Sequence, residues 1–135
     1  MAEIEEALRT YLQTKSGLTA LVSTRIYPDD LSDGAELPAV VYFKVSDVKD
    51  HILTGQSKLE SPVFQFSAYA TTKAGARAIT NQLKAALSDY YGTLSGLVVQ
   101  HIKLLNEMST LQTTGDGAAR VYVEDLEFEV NFEKE

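Results

Sequence analysis

The sequence predicts an α+β fold: a mostly antiparallel four-stranded sheet with two main helices packed on one face. Two stretches repeat apolar residues every three or four positions, as amphipathic helices do, and four other stretches alternate apolar with polar residues, as half-buried strands do. Along the chain these stretches follow the order helix, two strands, helix, two strands. At 135 residues, we expect a single domain covering residues 1–135.

The first helix is predicted from residue 4 and ends near Lys15. Its apolar stripe consists of Ile4, Leu8, Tyr11 and Leu12. Acidic residues at its start are favourable, because the helix dipole stabilises negative charge there. A short turn of helix follows, with Ser16 as the expected cap and Leu18, Leu21 and Val22 facing inward.

The middle helix is predicted from residue 73 to residue 88. Thr71 or Thr72 can cap its first turn. The inward stripe is Ala76, Ile79, Leu83, Ala86 and Leu87. This length and periodicity predict a helix that buries one face against the sheet.

Four strands are predicted at residues 39–48, 62–70, 96–106 and 126–133. In the first, Val41, Phe43 and Val45 are expected to face inward. In the last, alternation is strict, with Leu126, Phe128, Val130 and Phe132 inward and acidic or amide residues between them. Val121 and Val123 are odd-numbered, whereas the inward residues from Leu126 onward are even-numbered. One extra residue swaps the face that points inward, so a β-bulge is predicted near residues 124–125.

Three polar connections separate these elements, at residues 25–38, 49–61 and 109–117. The second is long for a hairpin loop, which usually has two to five residues. It is therefore interpreted as an extended arm or a mobile loop. The third contains the turn-forming run Thr113-Thr114-Gly115-Asp116-Gly117 and is expected to be flexible.

Composition excludes several functional classes. The chain has no cysteine, which rules out disulfides and thiol chemistry and suits a reducing cytoplasm. The net charge is −7 and the basic residues are scattered, so tight nucleic-acid binding is not expected, although an acidic lining would suit a pore through which DNA slides. No stretch is apolar enough to span a bilayer, and Glu3, Glu5 and Glu6 stand where a signal peptide would be basic.

No catalytic, cofactor or metal site is predicted. His51 beside Asp50 lacks a nucleophile motif, and His101 on a strand is interpreted as a structural histidine. The acidic loop at residues 29–33 lacks the spacing of a calcium loop. Glu127 and Glu129 are expected on the wet face of the last strand.

Several stretches resemble the tail-completion, or tail-terminator, proteins of siphophages. The matching stretches are Gly17-Leu18, Leu21-Val22, Arg25-Ile26-Tyr27-Pro28, Leu37-Pro38-Ala39-Val40-Val41-Tyr42, residues 63–69, the helix with Ala76, Ala78 and Leu83, and Arg120-Val121-Tyr122 with Leu126, Phe128 and Val130. The resemblance covers nearly the whole chain, and it carries over no catalytic motif.

The resemblance implies a structural virion protein. Such a protein forms a ring, expected to be six-fold, on the last ring of tail tube protein, where it stops tube growth and docks to the head-completion or connector protein. DNA would pass through its lumen without specific binding, and no membrane is involved. We expect assembly in the host cytoplasm and a final position at the tail–head junction of the virion.

Six residues are predicted to contribute to subunit or tube contacts: His51, Leu53, Lys58, Met108, Leu111 and Asp116. The apolar ones lie in segments otherwise too polar to form core. The alternative is that these side chains pack back onto their own sheet.

Two other functions stay open from the sequence. Another connector or minor tail protein would share the acidic charge and the lack of motifs. A small-ligand-binding regulatory domain would instead have an apolar pocket with convergent polar groups.

Overall fold

The computed structural model describes residues 4–23, 25–28, 37–46, 49–52, 55–114 and 119–133, and for residues 49–52, 55–59, 110–114, 119 and 120 it describes only the backbone. Three helices are present: α1 (Ile4–Gln13), α2 (Ser16–Val22) and α3 (Lys73–Leu87). The strands are β1 (Ile26–Pro28), β2 (Ala39–Ser46), β3 (Lys49–Ile52), β4 (Gly55–Glu60), β5 (Val63–Ala70), β6 (Gly92–Leu94), β7 (Leu97–Thr114) and β8 (Ala119–Glu133).

Strand β8 organises the sheet. On one side it pairs antiparallel with β7 over its whole length, and on the other it pairs with β5 and then, at its end, with β4. The path β1-β2-β5-β8-β4-β3 contains six strands, and β7 and β6 extend the same sheet. The predicted four-stranded sheet in the order α-β-β-α-β-β is therefore wrong, although the class is α+β.

The additional strands come from segments interpreted as connections. β1 has three residues and pairs parallel with β2, whereas residues 25–38 were expected to form a loop. The connection at 49–61 contains the β3–β4 hairpin, and β7 continues to Thr114 through the stretch expected to be flexible. These segments are short or polar on both faces, so they lack the alternation that identifies a half-buried strand.

The three helices pack on one face of the sheet. Their apolar stripes and one face of β2, β5, β7 and β8 form a continuous buried cluster. At its centre, the Phe66 ring contacts Tyr42 with centroids 5.8 Å apart and Phe128 with centroids 5.9 Å apart. Full burial of such aromatic side chains contributes about 1.5–3 kcal/mol each.

The predicted facing of the first long strand is wrong. In β2, Val40 and Tyr42 belong to the cluster under the helices, whereas Val45 is 46% exposed. Val41 is buried on the opposite face, 3% exposed. The start of β2 is apolar on both faces, so the alternation of residues alone did not indicate which face meets the helices.

The predicted bulge at residues 124–125 is also wrong. The β5–β8 register runs without a shift from Val63 opposite Glu129 to Ala70 opposite Tyr122. Val121 and Val123 are buried, but on the face away from the helices. The apolar residues of β8 therefore change from odd to even positions because the strand is buried on one face at its start and on the other face further along. The register shifts of the β7–β8 pair lie in β7.

Helix caps were predicted with mixed success. Thr72 is the N-cap of α3, and its side chain accepts a hydrogen bond of 3.0 Å from the Gly75 backbone N–H. The predicted Ser16 cap is wrong, because Lys15 occupies the N-cap of α2 and makes no side-chain capping bond. Only Thr14 and Lys15 separate α1 from α2, so the Lys15 carbonyl already accepts the first bond of α2.

Removal of the α3 cap is expected to destabilise the chain. Thr72→Ala should lower the free energy of unfolding by about 1 kcal/mol, since the Gly75 N–H loses its acceptor. Chemical denaturation measures the change, with Thr71→Ala as the matched control because Thr71 is exposed and precedes the cap. Equal effects of the two substitutions would contradict this role for Thr72.

A second prediction concerns the junction of α1 with the end of α3. The Tyr11 hydroxyl donates a hydrogen bond of 2.8 Å to the Ala86 carbonyl, and its ring contacts Tyr90 at 4.7 Å. Tyr11→Phe keeps the ring contact and is expected to cost about 0.5–1.5 kcal/mol of unfolding free energy. Tyr91→Phe is the control, because Tyr91 is 77% exposed, and it should leave stability unchanged.

Candidate interaction surface

The outer side of β7 is a free sheet edge over much of its length. From Leu97 to Val99 this side pairs with β6, and the Asp89 and Tyr90 backbones hydrogen-bond with Ile102. Beyond Ile102, no strand among the described residues pairs with this side of β7. We call residues 103–109 the β7 edge. Its backbone groups on this side are available to a further strand.

The β7 edge exposes large apolar side chains. Leu105 is 44% exposed and Met108 is 41% exposed. Leu105 occupies a register shift, because Leu104 pairs with Phe128 and Asn106 with the next residue, Glu127. The extra residue makes Leu105 a bulge outside the regular pairing, so it does not join Leu104 against the core.

A cleft of about 280 Å³ lies between α3 and the β7 edge. It is lined by Arg77, Thr80, Asn81, Lys84, Glu107, Met108, Ser109 and Glu124. Lys84 of α3 and Glu107 of β7 close one part of it with an ion pair of 3.0 Å. The Ser109 hydroxyl donates a hydrogen bond to the Glu124 carboxylate. Charged and apolar groups therefore lie side by side along this edge.

The predicted contact residues fall in two regions. Met108 lies on the β7 edge, and Leu111 lies further along β7. His51 lies in β3 and Lys58 in β4, on the other side of β8. Leu53 and Asp116 lie outside the described residues. The four described positions therefore do not form one patch, and the role of all six residues in subunit or tube contacts stays a prediction.

Sequence reasoning missed Leu105. Its neighbour Leu104 is half-buried against the core, so one of two consecutive leucines in a strand had to leave the inner face. That pair was the available signal, since strand side chains alternate between faces.

His101, whose side chain the structure describes, has a structural role. The Nε2 of His101 lies 2.9 Å from the Asp89 Oδ1, and both side chains are substantially exposed. Asp89 follows the end of α3 with a positive φ of 60°, so this contact holds the turn between helix and sheet. The side chain of His51 lies outside the described residues.

A larger cleft of about 670 Å³ lies between α1 and β2. Its walls include charged residues, and the Glu5 carboxylate and the Lys44 ammonium are 3.4 Å apart. The Arg9 Nε is buried there and has no hydrogen-bond partner among the residues that the structure describes. This charged, open cleft differs from the apolar pocket that a small-ligand-binding domain predicts.

The described residues contain neither a metal-binding cluster nor a membrane-spanning helix. No group of three or more His, Asp or Glu side chains converges as metal ligands would. None of the three described helices is both long and apolar enough to cross a membrane.

The fold is similar to that of chains in solved structures. A chain of a solved structure described as "Virion of native gene transfer agent (GTA) particle" matches with a TM-score of 0.71 and 19% identity, over 98% of this chain and 99% of that one. A second solved chain matches with a TM-score of 0.50 and 13% identity, over 97% and 98% of the two chains. At such identities the likeness shows a shared fold.

No curated protein matches the sequence. The family described as "Tail completion protein gp17" matches residues 6–130, which is most of the chain. This confirms the resemblance drawn from the sequence, and with it a structural role in a bacteriophage tail. The chain belongs to the tail completion protein gp17 family.

Proposed function

We propose that this protein caps the phage tail tube as a six-fold ring, ends tube polymerisation and joins the tail to the head connector. Family membership supports the place in the tail, and the similar chain in a gene transfer agent virion has the same fold. The assembled ring would occupy the tail–head junction after assembly in the host cytoplasm. Residues 1–135 would act as one domain, since all described strands belong to one sheet.

The observation that carries this proposal is the β7 edge. A long strand with a free outer side, exposed Leu105 and Met108, and a neighbouring cleft is a surface suited to protein contacts. Each position in a ring must contact two neighbours, so a subunit needs extended surfaces of this kind. An enzyme would instead need convergent catalytic groups.

The charge of the chain fits a channel for DNA. The net charge is −7, and Glu127 and Glu129 of β8 alternate with core residues and so point away from the helices. A lumen lined by carboxylates repels phosphates and lets the duplex pass without binding. We therefore propose contacts with tube and connector proteins, and none with specific DNA sequences.

Electron microscopy of particles assembled without this protein tests the proposed function. The expected result is tail tubes of uncontrolled length that are not attached to filled heads, because nothing ends their growth. Supplying the protein in trans should restore tails of uniform length. Normal tails on normal heads in its absence would contradict the proposal.

A point substitution tests the role of the β7 edge. Met108→Asp places a charge on an exposed apolar position and is expected to leave the free energy of unfolding within about 0.5 kcal/mol of the parent. Capping of tubes should fall at least tenfold in a tube-length assay, since burying an unpaired carboxylate in a contact is costly.

Val45→Asp is the matched control for this test. Val45 is 46% exposed, close to the 41% of Met108, but it lies at the end of β2. The control should cap tubes like the parent. Unimpaired capping by Met108→Asp would remove the β7 edge from the proposed contacts.

A further inference from the structure

We infer that neighbouring copies in the ring join their sheets: the β7 edge of one copy pairs with strand β3 of the next. This inference rests on the proposed ring and specifies which two edges meet. The partner that binds the β7 edge is thus a second copy of this chain. Three features of the fold support it.

The first feature is the availability of the β7 edge. Its backbone donors and acceptors face outward over several residues, and a row of unpaired edge groups is a template for pairing with another chain. Lys103 and the bulge at Leu105 interrupt the edge, and these are devices that prevent indiscriminate pairing. The β7 edge is open and partly apolar, and it is interrupted at defined positions. It therefore suits a partner strand whose residues pair with it in one register.

The second feature is the weak attachment of the β3–β4 hairpin. Within the described residues, β3 pairs only with β4. β4 in turn pairs with β8 only through Leu59 opposite Glu133 and Glu60 opposite Phe132. Beyond these two pairs the described hairpin has two strands only, and an isolated two-stranded hairpin is marginally stable in water, so a further strand against the free side of β3 would stabilise it.

The third feature is the placement of the two edges. β8 pairs with β7 along its whole length, and hence β4 and β3 must lie on the other side of β8. The two free edges are therefore different surfaces on opposite sides of one sheet. Pairing of unlike edges is head-to-tail, and this type of contact generates a ring when the rotation closes.

The same placement favours a second copy over a different protein. One chain supplies both the edge that accepts a strand and the hairpin that offers one. A ring of identical subunits uses both at every position and leaves neither edge open. A tube protein on the β7 edge would leave the hairpin without a third strand.

Disulfide cross-linking tests this pairing, because the chain contains no cysteine of its own. Asp50→Cys in β3 is combined in turn with Lys103→Cys, Leu105→Cys or Glu107→Cys, all three exposed on the β7 edge. The full-length variants are oxidised mildly on tail tubes and run on a non-reducing gel. A disulfide needs Cα atoms about 4.4–6.8 Å apart, so only a position in register reacts.

We expect at least one combination to give a ladder of covalent multimers up to the hexamer, which collapses to monomer with reductant. Asp50→Cys with Glu6→Cys is the control, because Glu6 is exposed on α1, away from the β7 edge, and this pair should give no ladder. Lys49→Cys replaces Asp50→Cys if the latter impairs folding.

The outcomes separate this inference from the proposed function. Rings on tube ends without a ladder from any combination would overturn the pairing and leave the ring intact. A ladder without capped tubes would support the pairing and overturn the function. Absence of both ladder and rings would overturn both. A ladder that forms only when tube protein carries the partner cysteine would assign the β7 edge to the tube.

Discussion

The fold depends on β8 being paired on both sides. Its inner residues Leu126, Phe128, Val130 and Phe132 are at most 5% exposed and lie under the helices. At the same time its backbone joins β7 on one side and β5 with β4 on the other. A central strand with one buried face fixes its register, because a slip of one residue would turn every inner side chain outward.

The other elements are arranged by this strand. β5 places Phe66 against Phe128, and α3 covers both with a stripe that includes Ile79 and Leu83. The opposite face is also closed near β5, where the Ser67 hydroxyl donates a hydrogen bond of 2.5 Å to the Asp125 carboxylate. Because Ser67 is only 3% exposed, this bond satisfies a polar group that would otherwise be costly to bury.

Elements that are buried on one face could be predicted, because their apolar residues recur at regular spacing along the sequence. α3 and the second half of β8 were predicted with their inward residues, because their apolar periodicity comes directly from contact with the core. Local chemistry alone predicted a cap at Thr71 or Thr72, and Thr72 is the residue that caps the helix. Where both faces are buried, as at Val40 and Val41, the same reasoning assigned the wrong face.

Strands that are held by backbone pairing could not be predicted this way. β3, β4 and the second half of β7 are polar, and hydrogen bonds to a neighbouring strand carry no signature in side-chain alternation. The proposed contact surface was predicted in part: Met108 was identified as an apolar residue in a polar segment, whereas Leu105 lay within the predicted strand at residues 96–106 and was not singled out. The polar sequence of these strands was therefore interpreted as loop.

The β7 edge and the free side of β3 link the fold to its place in a tail. In the proposed function a subunit stays separate until it reaches a tube end, which long apolar edges would not allow, and a net charge of −7 makes the copies repel one another. Edges made of backbone groups, with Leu105 and Met108 as isolated apolar contacts, bind weakly one at a time. In the proposed ring each copy is held by two such edges at once, so we expect the assembly to become stable only when a template has brought all subunits together.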